Sequence, residues 1–117
     1  MDDSSTPLLK YYFLDRLTFC YYINFMKITF DPVKSEKNAV QRNLPFDLAE
    51  EFDWSEAHII PDSRKDYPEP RFVAVGYLDN RLHVICFTPV DGGIRVISFR
   101  KANAREAKKY GKPQTID

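Results

Sequence analysis

The sequence predicts an α+β domain: two helices first, then an antiparallel meander of about four strands, then a closing helix. Three observations carry this. Helix-start and helix-stop residues bracket the stretch from Asp31 to Asn43. Four β-prone apolar runs between Ala57 and Arg100 are separated by turn residues. The basic run after Lys101 opens on a capping-box pattern. Helices grouped around an antiparallel meander define the class.

Lys27-Ile28-Thr29-Phe30 is short and β-prone. Asp31-Pro32 then supplies an N-cap and a first-turn proline, so a helix runs from about Pro32 to Arg42. Asn43 tolerates the left-handed cap conformation and Pro45 blocks continuation. A second helix is expected from Phe46 or Asp47 to about Trp54. Phe46, Ala49 and Phe52 fall three apart, with Asp47, Glu50, Glu51 and Asp53 opposite.

Ala57-His58-Ile59-Ile60 reads as a strand stopped by Pro61-Asp62, and Asp62 to Pro70 as a polar loop. Arg71 to Leu78 is a strand, Asp79-Asn80 a tight hairpin turn, and Arg81 to Thr88 the returning strand. Pro89 to Gly93 turns the chain into the last strand, Ile94 to Arg100. Asn103 with Glu106 three residues later caps the terminal helix, which Gly111 and Pro113 end. Neither an internal repeat nor a Gly-rich phosphate loop is present.

A chain of 117 residues suits one domain. At 44% hydrophobic and 15% aromatic residues it has the composition of a folded protein, which excludes a disordered chain. The working domain is expected to be 26–117, opening at Met26. Ahead of it, 1–25 is an atypical extension crowded with aromatics. Lys10, Asp15 and Arg16 spoil it as a membrane span, and Asp2 and Asp3 spoil it as a secretory signal. Of the two cysteines, Cys20 and Cys86, neither has a CxxC partner, so zinc and redox motifs are unsupported. Cys86 lies in an apolar run as a small buried side chain. A reducing cytoplasm is the simplest home.

Net charge is zero but unevenly spread. Ile94 to Asp117 holds seven basic residues against two acidic, a net of +5. Asp47 to Glu69 holds eight acidic against two basic, a net of −6. Such asymmetry points to separate faces with separate partners, a polyanion for the basic one.

Several blocks, in order, resemble a known family. They are Phe30-Asp31-Pro32 with Lys34 and Asn38; Leu44 and Phe46; Phe52-Asp53; Asp62; Arg71 with Gly76 five residues on; Phe87-Thr88; and Arg95-Val96-Ile97-Ser98-Phe99-Arg100-Lys101-Ala102. Over Met26 to about Tyr110 the chain is similar to the BrnT toxins of bacterial type II toxin–antitoxin systems. One departure is local: many relatives carry Lys-His-Gly where this chain has Gln41-Arg42-Asn43, so a histidine role there is absent. The extension also lies outside the family pattern. The resemblance implies a compact RelE-like ribonuclease fold and RNA cleavage that blocks translation. It implies neutralisation by a BrnA-like ribbon-helix-helix antitoxin, with DNA bound only through the complex.

RNA cleavage without a metal needs a base for the 2′-hydroxyl, a cation for the phosphorane and an acid for the departing 5′-oxygen. Guanidinium groups meet the second need, with fixed charge and fork geometry. Arg71, Arg95 and Arg100 are therefore the leading candidates, and Arg71 and Arg95 converge if their strands are neighbours. His83 titrates near neutrality and is the candidate for proton transfer. Arg64, Tyr77, Thr88, Ser98 and Lys101 are candidates for holding substrate. With two histidines and no ligand-spaced cluster, neither a metal nor a cofactor is expected. The acidic second-helix region suits a basic antitoxin surface. Rival readings are a non-catalytic subunit that tunes a repressor, or an inactive toxin remnant.

Overall fold

A computed structural model describes residues 27–116; the aromatic stretch 1–25 and Met26 lie outside the described residues. The elements are β1 (Lys27–Phe30), α1 (Pro32–Arg42), two 3-10 segments (Phe46–Glu51 and Trp54–Glu56), β2 (His58–Pro61), β3 (Phe72–Leu78), β4 (Arg81–Val90), β5 (Gly93–Lys101) and α2 (Ala104–Tyr110). The sheet has five strands in the order β1-β5-β4-β3-β2.

The architecture is α+β but differs from the expectation in two respects. The second N-terminal helix is not α-helical: Phe46–Glu51 is 3-10. Its apolar residues explain this, because Phe46, Ala49 and Phe52 repeat at three, the 3-10 period, rather than at 3.6. The sheet is also mixed and five-stranded, not an antiparallel set of four. β2 to β5 pair antiparallel in sequence order, and β1 joins β5 in parallel with Ile28 opposite Ile94. No local signal marks a parallel partner that lies far along the chain.

Local chemistry sets the element ends. The Asp31 carboxylate accepts from the Val33 amide at 2.9 Å, capping α1. Asn43 closes it in the left-handed region at φ 57°. Asp79 and Asn80 both take positive φ, 51° and 64°, as a two-residue hairpin turn requires. Asn103 and Glu106 form the reciprocal capping box that starts α2.

One face of the sheet buries Phe72, Ile85, Phe87, Ile94, Val96 and Phe99 beneath the chain that follows α1, where the 3-10 segments and their flanks contribute Leu44, Phe46, Ala49, Phe52 and Trp54. The Trp54 ring meets Phe52 and Phe87 edge-on, with centroids 4.8 and 5.6 Å away. Among the described residues, the other face is covered only at one end. There Ala107 and Tyr110 of α2 pack on Val75, Leu82 and Val84.

α1 buries polar residues, Ser35 and Asn38, rather than an apolar stripe. The Asn38 amide donates to the carbonyls of Leu44 at 2.7 Å and Phe99 at 2.9 Å. It thus pins the helix, the following turn and β5 together. Asn38→Ala would leave two buried carbonyls without their donor, at a cost of about 2 kcal/mol. Urea unfolding checks this, and an unchanged midpoint would deny Asn38 that role.

Candidate phosphate-binding cleft

The site grows from the register of three strands. Thr88 on β4 faces Arg95 on β5, and Phe72 faces Phe87, so one further step sets Arg71 opposite Thr88. Arg95 also faces Thr29 on β1. Side chains alternate along strands, so Arg71, Thr88 and Arg95 rise from the face opposite the aromatic core. Their strands are not neighbours, because β4 lies between β3 and β5. The two arginines converge by another route. The Oε1 atom of Glu69 lies 3.9 Å from a terminal nitrogen of Arg71 and 3.9 Å from one of Arg95.

Thr88 makes this possible by pointing its hydroxyl elsewhere. It is buried and donates to the Pro70 carbonyl at 2.6 Å, which anchors the loop end carrying Glu69 and Arg71. The Arg71 guanidinium stacks 4.0 Å over the Tyr67 ring. Its buried Nε finds no hydrogen-bond acceptor among the described residues. Arg71 and Arg95 line a cavity of about 320 Å³, with Lys34 from the first turn of α1 and Thr29 from β1 also on its wall. Both contacts to Glu69 are long for charge-assisted hydrogen bonds, which run to about 2.7–2.9 Å. The two forks therefore retain donors for an incoming oxyanion.

Residues 30–106 match the family described as "Ribonuclease toxin, BrnT, of type II toxin-antitoxin system". The chain belongs to the BrnT family. No curated protein matches it. The BrnT match runs from Phe30 to Glu106, so it takes in Lys34, Glu69, Arg71, Thr88 and Arg95.

Other residues singled out from the BrnT-like sequence are held elsewhere. Arg100 is locked in a fork to Glu106, at 2.8 and 2.7 Å. That pairing raises the Arg100 pKa and holds Glu106 below the ordinary carboxylate value. Arg64 forks onto Asp62 at 2.8 Å on both nitrogens; the pairing depresses Asp62 and raises Arg64. The Tyr77 hydroxyl donates to the Pro113 carbonyl at 2.7 Å, and burial raises its pKa. Ser98 lies opposite buried Cys86 on the cleft's face of the sheet.

His83 and Lys101 face each other on β4 and β5, but on the opposite side of the sheet, where the His83 ring meets Phe99 edge-on at 5.6 Å. Burial, with Lys101 and Arg81 nearby, pushes the His83 pKa down, although the Arg81 carbonyl opposes this. His83 is therefore not in the cleft. Among the described residues, no group of three His, Cys, Asp or Glu side chains is placed to hold a metal ion.

Two residues at the cleft, Glu69 beside its arginines and Lys34 on its wall, escaped the sequence reading as contributors of chemistry. Glu69 had one signal, its place two residues before Arg71, which puts both on one face of an extended chain. Lys34 stood in the family-like block Phe30-Asp31-Pro32 with Lys34 and Asn38, but its place in the cleft was hidden because it depends on β1 reaching β5.

The Arg100–Glu106 fork joins β5 to α2 and carries a pH signature. Because the folded pKa of Glu106 is depressed, the pair stabilises the fold above the unfolded value of about 4.3 and is lost as pH falls through the lower folded value. Glu106→Gln is expected to cost about 1 kcal/mol at pH 7 and to narrow its gap to the parent protein in acid. Denaturant melts at pH 7 and pH 3 measure this, and a gap that widens in acid would contradict the pairing.

Proposed function

We propose that this BrnT-family chain is a metal-independent endoribonuclease that arrests translation. The observation that carries the reading is the meeting of Arg71 and Arg95 over Glu69, beside a cleft that both arginines line with Lys34 and Asp31. The two guanidinium groups hold the scissile phosphate and stabilise its developing charge. Glu69 takes the proton of the adjacent 2′-hydroxyl. The 2′-oxygen attacks phosphorus, the bond to the 5′-oxygen breaks, and Lys34 returns a proton to that leaving oxygen. The products are a 2′,3′-cyclic phosphate and a free 5′-hydroxyl. Arg100 and Arg64 serve the scaffold through their carboxylate partners.

Incubating the chain with RNA in chelator, then analysing the new ends, tests the scheme. Fragments ending in cyclic phosphate support it, and intact RNA would sink it. The fold reads as RelE-like and the setting as the bacterial cytoplasm.

The partner is a BrnA-like ribbon-helix-helix antitoxin, with DNA bound only through the complex. Asp47, Glu50, Glu51, Asp53 and Glu56 stand exposed along the 3-10 segments and offer a basic partner an acidic surface. Reversing Glu50 and Glu51 to lysine should weaken the complex at least tenfold, read by titration calorimetry. Unchanged affinity would move the interface elsewhere.

A further inference from the structure

The sheet carries a second cavity on its aromatic-core face, of about 690 Å³, between the end of α1 and the β3–β4 hairpin. That volume is within the range of about 300–1,000 Å³ typical of small-molecule sites. Its wall combines three chemistries. Leu44, Leu48 and Leu78 form an apolar side, and Arg42, Arg81 and Lys101 supply cations. Glu51, Asp79 and His83 supply hydrogen-bonding groups.

The donors are not used up. Arg42 spends one nitrogen on the Asn38 side-chain oxygen at 2.9 Å. Arg81 gives one nitrogen to the Ala102 carbonyl at 3.3 Å, while its buried Nε has no acceptor among the described residues. The Nδ1 of His83 lies 2.7 Å from the Arg81 carbonyl, so the proton sits on Nδ1 and Nε2 is the acceptor.

We propose that this cavity binds one nucleotide, its base against the leucines and its phosphate among Arg42, Arg81 and Lys101. An apolar wall beside a cationic rim matches a planar base joined to a phosphate. Glu51, Asp79 and the His83 imidazole provide acceptors for ribose hydroxyls or base N–H groups. The site is separate from the cleavage cleft. His83 and Thr88 are five residues apart on β4, about 17 Å along the strand, and on opposite faces. The proposal rests on this cavity alone and not on the ribonuclease reading. The same chemistry serves a free nucleotide or one nucleotide of an RNA strand.

Calorimetric titration of the full chain tests it, using nucleoside 5′-monophosphates, inorganic phosphate and a 2′-O-methyl RNA trinucleotide that resists cleavage. The monophosphates should bind at least tenfold more tightly than inorganic phosphate. Lys101→Glu, at an exposed position, should weaken them at least tenfold, and Lys65→Glu, an exposed charge reversal that lines neither cavity, should change them less than twofold. A Lys101-dependent trinucleotide signal that competes with the monophosphates identifies an RNA strand as the source, and binding of the monophosphates alone identifies free nucleotide. No binding, binding indifferent to Lys101→Glu, or phosphate binding equal to the nucleotides would overturn the proposal. RNA cleavage by the parent protein is scored separately, so either reading can fail without the other.

Discussion

Arg95→Ala is expected to lower the RNA cleavage rate by about 10²–10³-fold while leaving the fold intact. The magnitude is that of removing one preorganised donor from a developing oxyanion. The specificity comes from geometry. The Arg95 side chain is 53% exposed and touches Glu69 only at 3.9 Å, so its loss removes charge without emptying a core. Arg71→Ala should lose as much activity but also some stability, because its guanidinium stacks on Tyr67 and is only 24% exposed. Arg95→Lys should recover part of the rate, since charge returns without the fork. Glu69→Gln should lose about 10²–10⁴-fold if Glu69 is the base. Single-turnover cleavage assays with circular dichroism as the folding control measure all four. An Arg95→Ala protein cleaving at the parental rate would place the phosphate somewhere else.

Gly93→Ala is expected to be the most damaging small substitution, costing about 3 kcal/mol, the upper end for an overpacked site. A Cβ there would fall 1.8 Å from the Lys27 carbonyl oxygen and 2.8 Å from the Lys27 nitrogen. The obstacle is backbone, so no rotamer change relieves it. β1 must withdraw from β5, giving up the bond from the Lys27 amide to the Gly92 carbonyl. Thr29 and Lys34 would be displaced with it, so cleavage should fall together with stability. Gly92→Ala is the control. Nothing lies within 4 Å of its Cβ, and the cost is only the strain of φ 77°, about 1 kcal/mol. Equal melting temperatures for the two variants would refute this account of the β1–β5 contact.

The features legible in the sequence are those encoded within a few residues. Asp31, Asn43, Asp79-Asn80 and the Asn103–Glu106 pair each act on their own backbone, and each is found in the expected role. The second helix misled because a spacing of three suits both a short apolar face and a 3-10 turn. Only packing against the sheet selects between them. β1 was visible as a β-prone run, but its parallel pairing was not, since the partner is set by topology. The arginines were legible as a class and not as individuals. Which of them stays available depends on whether a carboxylate forks onto it: Glu106 and Asp62 do so for Arg100 and Arg64, whereas Glu69 is shared loosely between Arg71 and Arg95.

The parallel seam between β1 and β5 also sets the order of events on the ribosome. The Thr29 hydroxyl donates to the Ile94 carbonyl across 65 residues of sequence. Synthesis runs from the N-terminus at about 5–20 residues per second, so β1 emerges several seconds before its partner. Until β5 is made, Lys34 and Arg95 cannot share a cavity. A nascent chain therefore has no assembled cleft, and under the proposed function RNA cleavage begins only as the last strand is completed.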